Sequence, residues 1–173
     1  MRKTSLLIGV TIATLIAVGS QAHASNWSMN GSSCVPNDTS INDYFVTGGS
    51  VTHKANSTTL LILYCPVTST WGSHKPDKLQ LTYANSDPLI ANITAQLVRL
   101  VASDGHFTAI TNAHVSGSVI TRTGLQRESP LFSHNFDFKN SYYYVRVDIS
   151  RADPSQFAKL FGVSLDCETC PAD

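Results

Sequence analysis

The sequence predicts an all-β protein, an antiparallel β-sandwich of jelly-roll or immunoglobulin-like topology with eight to ten short, disulfide-bonded strands. Two observations carry this. Apolar residues recur with a period of two in segment after segment, and turn residues punctuate the chain at roughly ten-residue intervals. Beyond the N-terminal leader no long helix emerges, which leaves sheet packed on sheet as the way to bury a core.

The first element is an export signal. Met1-Arg2-Lys3 is positively charged, Leu6 to Val18 is almost wholly apolar, and Ala22-His23-Ala24 places small residues at the −3 and −1 positions of a signal-peptidase site. The apolar stretch is short for a membrane span. Residues 1–24 are therefore expected to be cleaved after Ala24, leaving residues 25–173 as one domain. The pattern is bacterial in type and predicts a secreted or periplasmic protein with no membrane contact after cleavage.

Residues 25–40 are polar and rich in turn residues, and read as an arm. Tyr44 to Val46, the turn Gly48-Gly49 and Ser50 to Lys54 suggest a hairpin. Thr58 to Val67 is apolar on both faces, as in a central or covered strand, with Pro66 expected to end its ladder. Thr68 to Asp77 reads as a loop carrying Trp71 and His74. Leu79, Leu81 and Tyr83 alternate with Lys78, Gln80 and Thr82, the mark of a half-buried strand.

Leu89 to Val101 carries two signals. Asp87 as cap, Pro88 at the first helical position and Gly105 beyond would suit a helix. The alternation of Leu89, Ala91, Ile93, Ala95 and Leu97 with more polar neighbours favours a strand, and Asn92 and Thr94 are poor helix-interior residues. Short strands are also expected over Phe107–Ile110, Gly117–Thr121 and Phe132–Phe138. Tyr142 to Ser150 is the clearest strand, with Tyr143, Val145, Val147 and Ile149 facing in and Tyr142, Tyr144, Arg146 and Asp148 facing out. Ala152 to Lys159 could form one or two helical turns, and Leu160 to Cys167 closes the domain with Phe161, Val163 and Leu165 inward.

Four cysteines (Cys34, Cys65, Cys167, Cys170) remain after cleavage and allow three connectivities. In an exported chain they predict two disulfides, with Cys34–Cys65 and Cys167–Cys170 favoured. In the chain-entropy model the longer loop is worth about 3.7 kcal/mol and the shorter about 2 kcal/mol. Cys167-Glu-Thr-Cys170 has the spacing of a redox or zinc motif. It lies near the end of the chain, lacks the His that haem attachment requires, and has no second Cys pair to complete a zinc site.

Cys34-Val35-Pro36, Leu63-Tyr64-Cys65-Pro66 and the run from Phe136 through Tyr142-Tyr143-Tyr144-Val145 resemble the pattern of small secreted bacterial β-sandwich proteins of uncharacterised function. The resemblance implies a fold and transfers no active site.

Composition narrows the function. The 173 residues carry 12 basic and 12 acidic side chains, and only 14% of residues are charged. Removing the leader takes Arg2 and Lys3 with it and leaves the remainder slightly acidic. A basic face for nucleic acid is not expected. His53, His74, His106, His114 and His134 show no HxH or HExxH spacing, so no metal or other cofactor is expected. No GxSxG elbow marks a serine nucleophile, and Glu128 and Glu168 sit in loop-like stretches rather than as a facing pair. The leading expectation is a non-catalytic module that binds a glycan or a protein, or a subunit of an extracellular assembly. A hydrolase with a loop-borne site is the alternative, and a histidine-based metal carrier comes third. The candidate binding residues are Tyr142, Tyr144 and Arg146 on one strand face, with Trp71 in its loop, because exposed aromatics beside polar groups stack sugars and anchor protein partners.

Overall fold

The computed structural model describes residues 27–69, 71, 75–87, 89–117 and 121–170. Among these, eleven strands form two antiparallel sheets packed face to face. The strands are β1 (Trp27–Asn30), β2 (Val35–Pro36), β3 (Tyr44–Thr47), β4 (Ser50–His53), β5 (Leu61–Val67), β6 (Lys78–Asn85), β7 (Ala91–Val101), β8 (Phe107–Ser116), β9 (Thr121–Glu128), β10 (Ser141–Arg151) and β11 (Ala158–Asp166). One sheet has the order β3-β4-β11-β6-β9, with β1 also paired to β11; the other has the order β2-β5-β10-β7-β8. The export leader, its cleavage point, His74 and residues 118–120 of the expected strand Gly117–Thr121 lie outside the described residues.

Alternation builds the core. Leu61, Leu63 and Cys65 of β5, Ile93, Ala95 and Leu97 of β7, and Tyr143, Val145, Val147 and Ile149 of β10 all point inward and are buried. They meet Leu79, Leu81 and Tyr83 of β6 and Leu160, Val163 and Leu165 of β11. Successive strand residues face opposite ways, so each of these runs leaves its polar members outside. Cys34 bonds to Cys65, tying β2 to β5, and Cys167 bonds to Cys170. The β3–β4 hairpin turns through Gly48 and Gly49 at φ of 54° and 82°, the left-handed pair that a two-residue turn of the favoured twist requires.

Several expectations change. The polar arm 25–40 contributes structure from Trp27 onward: β1 pairs with β11 and β2 with β5, and Trp27 is buried. Pro66 does not end its ladder, which continues to Val67 opposite Tyr143. The even-numbered backbone groups of β5 point away from β10, as the Ile62 N–H to Ser40 Oγ bond shows. Proline's missing donor thus falls on the side that β2 leaves open.

The segment after Pro88 forms a strand, but it begins at Ala91. Leu89 is 94% exposed in a single turn where Asp87 accepts from the N–H groups of Leu89, Ile90 and Ala91. Likewise Asp153 organises one turn and no helix, accepting from Ser155 and Gln156. Buried Arg151 fastens that turn to the β4–β5 connection by donating to the carbonyls of Lys54, Ser57, Pro154 and Gln156.

Phe107–Ile110 is the first part of a longer strand, β8, interrupted by a bulge opposite Leu97. Thr121–Glu128 forms edge strand β9, which its sparse apolar content conceals. Phe132–Phe138 joins neither sheet. Phe136 and Phe138 pack on Tyr143 instead, so their alternation reflects contact with the end of the core.

The phase of β11 also shifts. Its register slips between Leu160 and Gly162 against β6, so Leu160 faces in and Phe161 faces out. Such a bulge sets two residues against one. The site is tight: a Cβ on Gly162 would sit 2.8 Å from the Met29 carbonyl oxygen, and one on Gly31 would collide with the Leu160 carbonyl.

Candidate functional site

The outer face of the five-stranded sheet carries the candidate site. In β10, alternation sends Tyr142, Tyr144, Arg146 and Asp148 outward while Tyr143, Val145 and Val147 enter the core. Register then sets their neighbours. Arg146 lies between Tyr64 of β5 and Gln96 of β7, Tyr144 between Pro66 and Val98, and Asp148 between Ile62 and Thr94. Beyond β7, His114 stands opposite Gln96 and Phe107 opposite Leu100.

A groove of about 580 Å³ runs across this face, lined among others by Tyr64, Gln96, Phe107, His114, Tyr144 and Arg146. Tyr64 and Tyr144 pack edge to face, with ring centroids 5.3 Å apart and planes at 85°. This is a favoured aromatic geometry, worth about 0.5–1.5 kcal/mol beyond burial. Arg146 Nε donates to Asp148 Oδ1 at 2.8 Å. With side chains 42% and 29% exposed, the pair contributes little to stability but fixes the guanidinium plane. The hydrogen bond to Asp148 raises the Arg146 pKa, and burial followed by the neighbouring Tyr64 raises that of Tyr144. At neutral pH the groove therefore presents a cation held in place and a protonated phenol able to donate and accept.

Gln96 shapes the β8 wall. Its Nε2 is shared among the carbonyls of Leu97, Ile110 and Ala113 at 3.0–3.3 Å, holding the bulge of β8. Asn112, at the bulge, takes a left-handed φ of 63°, which asparagine tolerates better than most residues. Bulges bend the strand that carries them, and the groove is lined from both sides of this one, by Phe107 and Ala109 before it and His114 after it.

Of the four sequence candidates, Tyr144 and Arg146 line the groove. Tyr142 shares their face one row further on, beside Leu100, and is 66% exposed. Trp71 lies elsewhere. It packs on Phe136 and Phe138 with centroids 4.8 and 5.4 Å away, and those rings rest on Tyr143, so it covers core. Tyr64, Gln96, Phe107 and His114 escaped the sequence reading. Tyr64 was legible as an outward position of its strand, but only the strand order shows that it adjoins β10.

The described histidines are dispersed. His53 is buried on β4, where its Nε2 meets the Thr59 carbonyl at 2.8 Å while Nδ1 has no hydrogen-bond partner. His134 Nε2 lies 3.1 Å from the Tyr143 hydroxyl, His114 lines the groove, and His106 is exposed in a loop. Among the described residues no three His, Cys, Asp or Glu gather to hold a metal ion, and no helix is long and apolar enough to cross a membrane.

No family model matches the chain, and no curated protein matches it. Among solved structures it is similar to the Clostridium thermocellum N-terminal endo-1,4-beta-D-xylanase 10B, in a crystal structure of its CBM22-1 and GH10 modules complexed with xylohexaose. The identity is 9% and the TM-score 0.46, over 86% of this chain and 29% of that chain. This chain thus spans less than a third of that protein's length, and no site residue is carried over from it.

Proposed function

We propose that this chain is an exported, non-catalytic β-sandwich module that binds a glycan along the groove on its five-stranded sheet. The observation that carries this reading is the meeting of the Tyr64–Tyr144 pair with Arg146, Asp148, Gln96 and His114 in that groove. Sugars offer apolar C–H faces to aromatic rings and hydroxyls to planar hydrogen-bonding side chains. The groove supplies both within one concave surface, as small-molecule sites generally do. Export to the periplasm or cell exterior fits the apolar leader, and the two disulfides suit an oxidising compartment.

A protein partner is the second reading, favoured by the row Tyr142, Leu100 and Phe107. Tyr142 and Phe107 are 66% and 68% exposed, and β8 is an edge strand whose sequence holds no Asp, Glu, Lys or Arg. The two readings separate by titration calorimetry of residues 25–173 against an oligosaccharide panel. The glycan reading expects binding that weakens at least tenfold, about 1.4 kcal/mol, in Tyr144→Ala and in Arg146→Ala, with the melting temperature moved by only a few degrees. Absence of binding to any glycan, with capture of a secreted protein that Phe107→Ala abolishes, would transfer the site to the second reading.

A further inference from the structure

The six-stranded sheet has a groove of its own, about 640 Å³, on the opposite side of the sandwich from the tyrosine pair. It owes its shape to the bulge of β11. Leu160 keeps its place in the core, and the extra residue, Phe161, is turned outward into the groove. An apolar ring is thereby withheld from the core and set among polar groups.

The ring is half-buried, with part of it facing the groove. Gly124 of β9 sits where a Cβ would lie 3.7 Å from the Phe161 ring and 3.6 Å from the Thr82 methyl, so no side chain covers the ring from that strand position. Gly162, next to Phe161, is required by the close approach of the Met29 carbonyl. Around the ring stand Ser28 and Asn30 of β1, Gln80 and Thr82 of β6, and Ser164 of β11, all uncharged hydrogen-bonding residues. Ser164 Oγ donates to Asp166 Oδ2 at 3.0 Å, which orients that carboxylate at one end. Next to it Lys78 Nζ bonds Glu168 Oε2 at 2.6 Å.

Charge identifies the class of ligand. Among the described lining residues Lys78, Asp166 and Glu168 leave one negative charge in excess, which disfavours phosphate, sulfate or uronate chains. The uncharged amides and hydroxyls match a ligand that is itself uncharged and rich in hydroxyls, and the part of the half-buried ring that faces the groove supplies a platform for its C–H face. We propose that this groove is a second binding site, for a neutral oligosaccharide, with Phe161 as its stacking residue. A bulge that served only to bend β11 would work with any side chain at 161. The site is separate from the tyrosine groove and does not depend on it. If both are occupied, the module joins two chains across its thickness.

The test is an amide-resolved NMR titration of residues 25–173 with cellohexaose, mannohexaose and the hexamer of N-acetylglucosamine. The expected result is saturable shifts at Thr82, Gly162 and Ser164 with at least one of the three sugars. Those shifts should persist in Tyr144→Ala and weaken at least tenfold in Phe161→Ala. Asn30→Ala, an exposed change that leaves the bulge intact, should weaken them severalfold and serves if Phe161→Ala fails to fold. Shifts confined to the tyrosine groove, or none with any of the three at millimolar sugar, would overturn the proposal. So would sugar-independent, concentration-dependent shifts on the Phe161 face, which would assign that face to a second copy of this chain.

Discussion

Tyr143 and Tyr144 are chain neighbours with opposite roles, and the alternation of β10 is the reason. Tyr143 is buried, and its hydroxyl accepts from the Asp137 N–H at 2.9 Å while lying 3.1 Å from His134 Nε2. Tyr143→Ala should therefore cost about 3 kcal/mol or more in urea unfolding, the scale for emptying a large aromatic site. Tyr144→Ala should leave the melting temperature within a few degrees, and reversal of the two effects would mean that the faces are exchanged. The histidines make stability depend on pH. Burial lowers the pKa of His53, with Arg151 adding to it against the pull of the Thr59 carbonyl and Asp43. Burial, then Arg99 and Lys75, lowers that of His134. Both rings therefore give up their protons at a lower pH in the fold than in the unfolded chain, where histidine titrates near pH 6.5. The unfolded state thus holds more protons below that value, and stability should fall as pH drops from about 6.5 toward the lowered folded values. The urea midpoint should be flat from pH 7 to 8 and decline from pH 6.5 to 5.5, the decline shrinking in His53→Gln and His134→Gln. Period two made β10 legible at this scale. It offered no guide to Trp71, whose loop has no period and whose neighbours Phe136 and Phe138 are remote in sequence.

Among the elements, the two disulfides differ in what they restrain. Cys34–Cys65 spans 31 positions and joins a two-residue strand, β2, to a core strand. Replacing both cysteines with Ser should cost a few kcal/mol, the range for a native disulfide closing a loop of that size. Cys167–Cys170 closes a much shorter loop that is already held from outside. The Asp77 carboxylate accepts the N–H groups of Glu168 and Thr169 and the Thr169 hydroxyl, and these bonds outweigh its burial and lower its pKa. The double Ser change there should therefore shift the urea midpoint much less, and an equal shift would show that the short loop restrains more than its length implies. The β11 bulge supplies a sharper test. Gly162→Ala pushes a Cβ against the Met29 carbonyl, so β1 must move away from β11 or the bulge must open. A loss of about 1–3 kcal/mol is expected, the scale of overpacking, together with a red shift in emission as Trp27 becomes wetter. The sequence pattern placed β6 and the first hairpin correctly but missed this bulge. A bulge adds one residue without leaving a compositional mark, so strict alternation from Leu165 back to Phe161 points the phenylalanine inward.

For the whole molecule, the all-β class is readable from periodicity and turns, while strand order is not, because it depends on contacts between distant parts of the chain. The order has a consequence for folding. β10 lies between β5 and β7 at the centre of one sheet, and β11 joins β6 on one side to β4 and β1 on the other at the centre of the second. The two central strands are thus the last two of the described strands, and neither sheet can bury its inner face until residues 141–166 are present. Loop closure of that length is slow to be repaid, so folding on the millisecond-to-second scale of non-local β proteins is expected. The same order ranks local stability. Among the described residues β3 pairs only with β4, β4 meets β11 over the two pairs Lys159–Thr52 and Leu160–Val51, and Phe45 and Val46 of β3 are largely exposed. β3 can peel away without disturbing the core, which takes Val51 from β4 but nothing buried from β3, whereas opening β10 separates β5 from β7. Native-state hydrogen exchange should therefore show the amides of Tyr44–Thr47 exchanging fastest among paired strands, through local opening. Those of Val145, Val147 and Ile149 should exchange only through global unfolding, with an opening free energy equal to that from urea. Tyr44–Thr47 amides as protected as those of β10 would show that β3 is part of the cooperative unit, held by more than its pairing with β4.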